Sequence, residues 1–101
     1  MEKRNPKFHA LLDEIRDLHD RKNHDYAADN DPLSNFRRCQ ALGISPLVGV
    51  LVRLGDKQAR IEQIVSGKTP KNESLRDSLI DLAVYALIDV LLLEDRDAAA
   101  R

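Results

Sequence analysis

The stretch DSLIDLAVYALIDVLLL, from Asp77 to Leu93, decides the fold of this chain. Drawn as a helix, it is apolar on nearly all of its surface, because its apolar residues form two stripes. The first stripe is Leu75, Leu79, Leu82, Ala86, Val90 and Leu93, and the second is Ile80, Ala83, Val84, Leu87, Ile88 and Leu91. One small monomer cannot easily cover both stripes. The pattern therefore predicts a homo-oligomer, a dimer or higher, that buries this C-terminal helix.

Three carboxylates, those of Asp77, Asp81 and Asp89, interrupt this apolar helix. A buried carboxylate needs a cation, which is either a protein side chain or a metal ion. Pairing with a protein side chain would indicate a scaffold, whereas binding of a metal ion would indicate an active site.

Four helix starts organise the rest of the chain. Three of them place a capping side chain before a proline at the first helical position, and the fourth is Thr69-Pro70 followed by Asn72-Glu73. The predicted helices are Pro6–Lys22, Pro32–Leu42, Pro46–Ser66 and Glu73–Asp95. We therefore expect an all-α, four-helix bundle-like domain over residues 1–101, with residues 96–101 as a frayed tail.

The composition excludes several classes of function. Lys and Arg number 16 against 17 Asp and Glu, so no basic field for duplex nucleic acid is expected, although a local cluster for a small phosphorylated ligand remains possible. The single Cys39 rules out an internal disulfide and fits a reducing compartment. The start MEKRNPKFHA has no apolar h-region, so we expect no secretion signal, and Leu79–Leu93 is too short and too charged to span a bilayer. We expect a soluble, cytoplasmic protein without a membrane partner.

Charged residues recur at helical spacing in the last two predicted helices. Glu73, Asp77 and Asp81 are spaced by four residues, with Tyr85 next, so they drift only about 40° per step and form one acidic ridge. The preceding helix places four charged residues at i, i+3, i+4 and i+7, which is again one face: Arg53, Asp56, Lys57 and Arg60. If the two helices pack antiparallel, these polar faces meet.

Two chemistries fit such a meeting. The carboxylates can hold Mg²⁺ against a substrate phosphate, while Lys57 and Arg60 stabilise the remaining phosphate charge. Alternatively, Arg53, Lys57 and Arg60 neutralise Asp77 and Asp81 as salt bridges between the helices. The spacing does not choose between them, although the depth of Asp81 in an apolar helix favours a functional role.

A second polar stretch, RKNHDYAADNDPLSNF, follows the first predicted helix. Lys22, Asn23, Asp25 and Tyr26 offer a cation for phosphate, polar groups for a base or sugar, and a ring for stacking. They also serve as ordinary turn and cap residues, an interpretation that the spacing alone favours.

Three motifs in order resemble a known superfamily. The segment DSLIDLAVYA resembles the second metal-binding helix of the all-α nucleoside triphosphate pyrophosphohydrolases of the MazG and dimeric dUTPase type. With KNHDY and RLGDKQAR before it, the chain from Lys22 to Leu92 is similar to a small phage-associated branch, the nucleotide-modification-associated domain. The resemblance implies a helical oligomer that acts on a nucleotide, with Asp77 and Asp81 as metal ligands, and a host cytoplasm for a phage protein.

The chain departs from this superfamily on the preceding helix. The superfamily carries a Glu-Glu-x-x-Glu motif there, and the comparable span here is Asp56-Lys57-Gln58-Ala59-Arg60. Two acids are thus replaced by bases, which weakens a metal site and improves binding of phosphate.

The expected function is a nucleotide pyrophosphohydrolase that releases a monophosphate and pyrophosphate and uses Mg²⁺ or Mn²⁺. Four acids would hold the metal and activate a water, namely Asp56, Glu73, Asp77 and Asp81. The residues expected to bind the nucleotide are Lys22, Asn23, Asp25, Tyr26, Arg53, Lys57, Arg60 and Tyr85. The alternatives are a phage protein that sequesters a nucleotide or cyclic nucleotide without cutting it, and a helical scaffold whose charged faces only pair with each other.

Overall fold

The computed structural model describes residues 3–26 and 33–100. Over these residues the chain forms helices and no strands, which confirms the predicted all-α class. The elements are α1 (Pro6–Tyr26), the 3₁₀ helices Ser34–Phe36 and Arg38–Leu42, α2 (Pro46–Val65) and α3 (Leu75–Ala99). The described residues include no helix long and apolar enough to cross a membrane.

The chain divides into two compact units, Met1–Asn35 and Phe36–Arg101. The first unit contains α1, which begins as predicted at Pro6, because the side chain of Asn5 accepts a hydrogen bond from the Phe8 amide at 3.1 Å. The predicted end of this helix at Lys22 is wrong, since α1 continues to Tyr26. Neither glycine nor proline occurs between these two residues, so nothing in the local sequence stops the helix there.

The second predicted helix, Pro32–Leu42, is wrong as one continuous element. Two short 3₁₀ helices, Ser34–Phe36 and Arg38–Leu42, occupy its described part, and Pro32 itself lies outside the described residues. Ser34 and Asn35 fall at the start of this span, and their side chains favour local turns over a helix interior.

A hairpin of α2 and α3 forms the second unit, and the 3₁₀ helix Arg38–Leu42 packs on α2. Ser45 caps α2, because its Oγ accepts a hydrogen bond from the Val48 amide at 3.2 Å. The helices run antiparallel: Arg60, late in α2, contacts Glu73 just before α3, whereas Lys57 also reaches Asp81 further along.

Apolar side chains from both helices form the core of this hairpin. Val50, Ile80, Ile88 and Leu92 are buried. The core is small, and it uses only one side of α3.

The opposite side of α3 remains apolar and exposed. Between 37% and 53% of each of five residues is exposed on this helix, namely Leu79, Leu87, Val90, Leu91 and Leu93. They come from both stripes identified in the sequence, so the exposed surface covers much of the helix. The first half of α2 is similar, with Val48, Leu51 and Val52 exposed.

Candidate functional site

Opposite charges from α2 and α3 meet in one place. Lys57 Nζ lies 2.7 Å from Glu73 Oε1 and 2.9 Å from Asp81 Oδ2, so the lysine bridges two carboxylates. Arg60 donates to the other oxygen of Glu73, and the Ser78 hydroxyl donates to that same oxygen at 3.1 Å. We call these five residues the charge cluster.

Local sequence explains why the cluster forms. Lys57 lies between Leu54 and Ile61 on the face of α2 that packs on α3, so its stem is covered and its ammonium points into the hairpin. Asp81 follows the buried Ile80 on α3. Glu73 does not belong to α3, which corrects the predicted start of this helix, and it approaches Lys57 from the connecting segment.

The contacts in the charge cluster stabilise the ionised forms of Lys57 and Glu73. Burial by itself would raise the pKa of the Glu73 carboxyl, but hydrogen bonding with Lys57, Asp81 and Ser78 outweighs burial and lowers that pKa from 4.5 to about 2. Burial likewise would lower the pKa of Lys57, yet hydrogen bonds to Glu73 and Asp81 raise it above 10.5. At neutral pH, Lys57 and Glu73 therefore both stay ionised.

Asp77 has a different task from the one predicted. Its amide donates to Ser74 Oγ at 3.0 Å, and its carboxylate accepts from the Ser74 amide at 3.3 Å. This reciprocal pair is a capping box that starts α3. The Ser-x-x-Asp spacing is visible in the sequence and could have identified Ser74 as the cap.

The remaining α2 and α3 residues predicted for the site lie apart from the cluster contacts. Arg53 and Asp56 are exposed, and neither forms an ion pair with a residue that the structure describes. Tyr85 is half-buried on α3, one turn after Asp81. The structure thus unites Lys57, Arg60, Glu73 and Asp81 only.

These residues do not fit a bound Mg²⁺ or Mn²⁺ ion. The ammonium of Lys57 already lies within 2.9 Å of the two carboxylates, Glu73 and Asp81, that could share a metal. Asp77 is engaged in the capping box. Among residues 3–26 and 33–100, no group of three His, Cys, Asp or Glu side chains is arranged to hold an ion.

Residues predicted for the base or sugar end belong to the first unit. Lys22, Asn23 and Asp25 lie in the last turns of α1 and not in a loop, and His24 Nδ1 is 3.3 Å from the Asp25 carboxylate. The side chain of Tyr26 lies outside the described residues.

A cavity of about 200 Å³ adjoins the charge cluster at the connection between α2 and α3. Arg60 and Glu73 form one wall, and Ile64 adds apolar surface. The connecting segment adds Lys68 and Lys71. We call this cavity the turn pocket. Sequence reasoning did not identify these two lysines, because charged residues in a short connection have no periodicity.

Asp89 is the one carboxylate in the second unit that is buried without compensation. It is 9% exposed, and neither of its side-chain oxygens has a hydrogen-bond partner among the described residues. Burial raises the pKa of this carboxyl above its usual 3.8.

Comparison with known protein families, curated proteins and solved structures finds no match to this chain. The resemblance to the all-α pyrophosphohydrolases therefore stays a prediction. Function must be inferred from the charge cluster, the turn pocket and the exposed apolar surface.

Proposed function

We propose that this protein is a homo-oligomeric helical protein that binds a nucleotide without hydrolysing it. The observation that carries this proposal is the position of Lys57 between Glu73 and Asp81. In a metal-dependent hydrolase, a divalent ion would bridge two such carboxylates. Here a lysine bridges them, so the carboxylates serve to orient cations and not to activate water.

Arg60 supports the choice of a phosphorylated ligand. Its side chain is 48% exposed although it contacts Glu73, and it also lines the turn pocket. A guanidinium has several donors in a planar fork, so it can hold a carboxylate and still bind a phosphate oxygen. The resemblance to nucleotide-acting proteins supplies the nucleoside part of this proposal.

A single incubation separates binding from hydrolysis. The purified protein is mixed with Mg²⁺ and a pool of nucleoside triphosphates and cyclic dinucleotides, and both the solution and the ligand released on denaturation are analysed. We expect intact nucleotide retained at no more than one per chain. Monophosphate and pyrophosphate beyond one equivalent would instead establish the pyrophosphohydrolase.

A charge-matched pair of variants connects this result to the site. Arg60→Gln removes the exposed cation of the cluster, whereas Arg38→Gln removes an exposed cation from the 3₁₀ helix Arg38–Leu42. Retention should fall at least tenfold in Arg60→Gln and stay unchanged in Arg38→Gln. Equal retention in both variants would contradict the proposed site. If the unaltered protein retained no nucleotide, the helical scaffold would be the remaining interpretation.

The homo-oligomer rests on the exposed apolar side of α3. Full burial of a Leu or Val side chain is worth roughly 1.5–3 kcal/mol, so completing the burial of five half-exposed ones contributes about 5 kcal/mol per chain. A symmetric dimer would gain twice that, about 10 kcal/mol, which is comparable with the 4–15 kcal/mol cost of association. Burial of this surface therefore offsets a cost of association of the same size, which supports the homo-oligomer.

Light scattering during size-exclusion chromatography tests this part. Leu87→Asp places a charge on the exposed side of α3, and Val65→Asp places the same charge on a residue at the end of α2 that is 72% exposed. We expect the unaltered protein and Val65→Asp to elute as oligomers and Leu87→Asp to elute as a monomer. A monomeric unaltered protein would refute the oligomer.

A further inference from the structure

The turn pocket has more positively charged side chains than the carboxylate in its lining can neutralise. Three cationic side chains line it, those of Arg60, Lys68 and Lys71, against the single carboxylate of Glu73. Glu73 is already neutralised by Lys57 and Arg60. The charges of the two lysines in the connecting segment are thus left over.

Neither Lys68 nor Lys71 has an ion-pair partner among the residues that the structure describes. Both are exposed. Two like charges on the rim of one concave surface repel each other unless an anion lies between them. An anion that enters the pocket would therefore relieve this repulsion as well as gain attraction.

The pocket also offers hydrogen-bond donors of neutral type. Thr69 and Asn72 both belong to its lining, and a hydroxyl and a side-chain amide are groups that can donate to a phosphate oxygen. Ile64 contributes an apolar wall, against which a sugar ring could lie. This combination of cations, neutral donors and one apolar surface is typical of a phosphate subsite.

Its size limits what can enter. At about 200 Å³ the pocket is smaller than the 300–1,000 Å³ of sites that enclose a whole drug-sized ligand. A phosphate group with its attached sugar fits this volume, and a complete nucleoside triphosphate does not. The base of any nucleotide held here would lie outside the pocket.

We propose that the turn pocket is a subsite for the phosphate group of a small phosphorylated ligand, bound by Lys68, Lys71 and Arg60. For a nucleotide, this inference rests on the proposed function and locates the phosphate end of the ligand. The inference that the turn pocket binds a phosphate group does not depend on the proposed nucleotide function. The connecting segment between the helices is then a binding element.

Amide chemical shifts in ¹⁵N-labelled full-length protein provide a test at residue resolution. Inorganic phosphate, pyrophosphate and ribose 5-phosphate are titrated separately at constant ionic strength held with chloride. We expect saturable shifts at one ligand per chain, concentrated in the amides of residues 67–69 and 71–73. Shifts that grow linearly without saturation, or that are spread over all lysines, would overturn the proposal.

A double variant with a matched control completes the test. Lys68→Gln/Lys71→Gln removes both unpaired cations of the pocket, and Lys3→Gln/Lys7→Gln removes two exposed lysines of the first unit. The pocket variant should weaken phosphate binding at least tenfold, while the control should bind like the unaltered protein. Equal affinity in both variants would overturn the subsite. Because all four lysines are exposed, their circular dichroism spectra should match and exclude unfolding as the cause.

Nucleotide arms of the same titration distinguish the two proposals. If phosphate saturates the pocket but AMP and ATP bind no more tightly than ribose 5-phosphate, the subsite stands and the nucleotide function fails. If ATP binds tightly while the amides of residues 67–69 and 71–73 do not shift, the nucleotide function stands and the subsite is wrong.

Discussion

Replacing Lys57 with methionine tests the central claim about the charge cluster. The substitution keeps most of the apolar stem and removes the ammonium that lies 2.7 Å from Glu73 and 2.9 Å from Asp81. Two carboxylates would then face each other without the lysine between them. The protein should lose stability at pH 7.

Two routes give the size of this loss. The side chains of Lys57, Glu73 and Asp81 are 14–19% exposed, so the pairs are closer to buried than to surface ion pairs, and removing one partner of a buried pair costs about 3–5 kcal/mol. The lowering of the pKa of Glu73 from 4.5 to about 2, to which Lys57, Asp81 and Ser78 all contribute, corresponds to roughly 3 kcal/mol at neutral pH, which is of the same order. We therefore expect a loss of about 3 kcal/mol.

Urea unfolding followed by circular dichroism measures this loss, at one fixed protein concentration because oligomers unfold in a concentration-dependent way. The urea midpoint should fall by about 2 M, if the slope is near 1.5 kcal/mol/M for a chain of this size. Lys68→Met, which removes an exposed lysine without an ion pair among the described residues, should leave the free energy of unfolding within about 0.5 kcal/mol of that of the unaltered protein. A Lys57→Met loss as small as that of the control would refute the cluster.

Adding Mg²⁺ to this experiment tests whether Glu73 and Asp81 can bind a metal ion once Lys57 is removed. If Lys57 takes the place of a metal, Lys57→Met should regain part of its lost stability in millimolar Mg²⁺, whereas the unaltered protein should not respond. A stabilising response in the unaltered protein would mean that the carboxylates accept a metal despite the lysine.

Three further changes have definite expected results. A Cβ at position 49 would lie 2.9 Å from Cys39 Sγ, whereas one at position 55 meets nothing within 4 Å. Gly55→Ala should therefore stabilise α2 by about 0.5–1 kcal/mol and Gly49→Ala should gain nothing or lose up to about 1–3 kcal/mol, as thermal unfolding of the two variants will show. The depressed pKa of Glu73 contributes stability above pH 4.5 that is lost as the pH falls to about 2, so acid unfolding should be shallower in Glu73→Gln. Asp89→Asn should raise stability at pH 7, because burial disfavours the ionised form of this carboxyl and raises its pKa, and the gain should vanish as the pH falls below 3.8. Destabilisation of the oligomer instead would mean that a second copy supplies a cation to Asp89.

Much of the fold was predictable because its signals are local. Asn5 before Pro6 and Ser45 before Pro46 place a capping oxygen at the first turn, so the starts of α1 and α2 followed from adjacent residues alone. The two stripes on the last helix likewise follow from a period of 3.6 residues, and they predicted a helix that one hairpin leaves partly exposed. The 3₁₀ helices were missed because Ser34 and Asn35 weaken a helical pattern that starts with proline.

The candidate site depended on contacts between distant parts of the chain. The sequence determined that acids lie at helical spacing and that bases replace acids on the preceding helix, but spacing treats Glu73, Asp77 and Asp81 as equivalent. The capping box that engages Asp77 is local and follows from the Ser-x-x-Asp spacing at Ser74. Only the tertiary structure shows that Lys57 draws Glu73 and Asp81 together across the hairpin. A carboxylate takes whichever donor lies within about 3 Å, and that distance is determined by how the helices pack and where the chain turns between them.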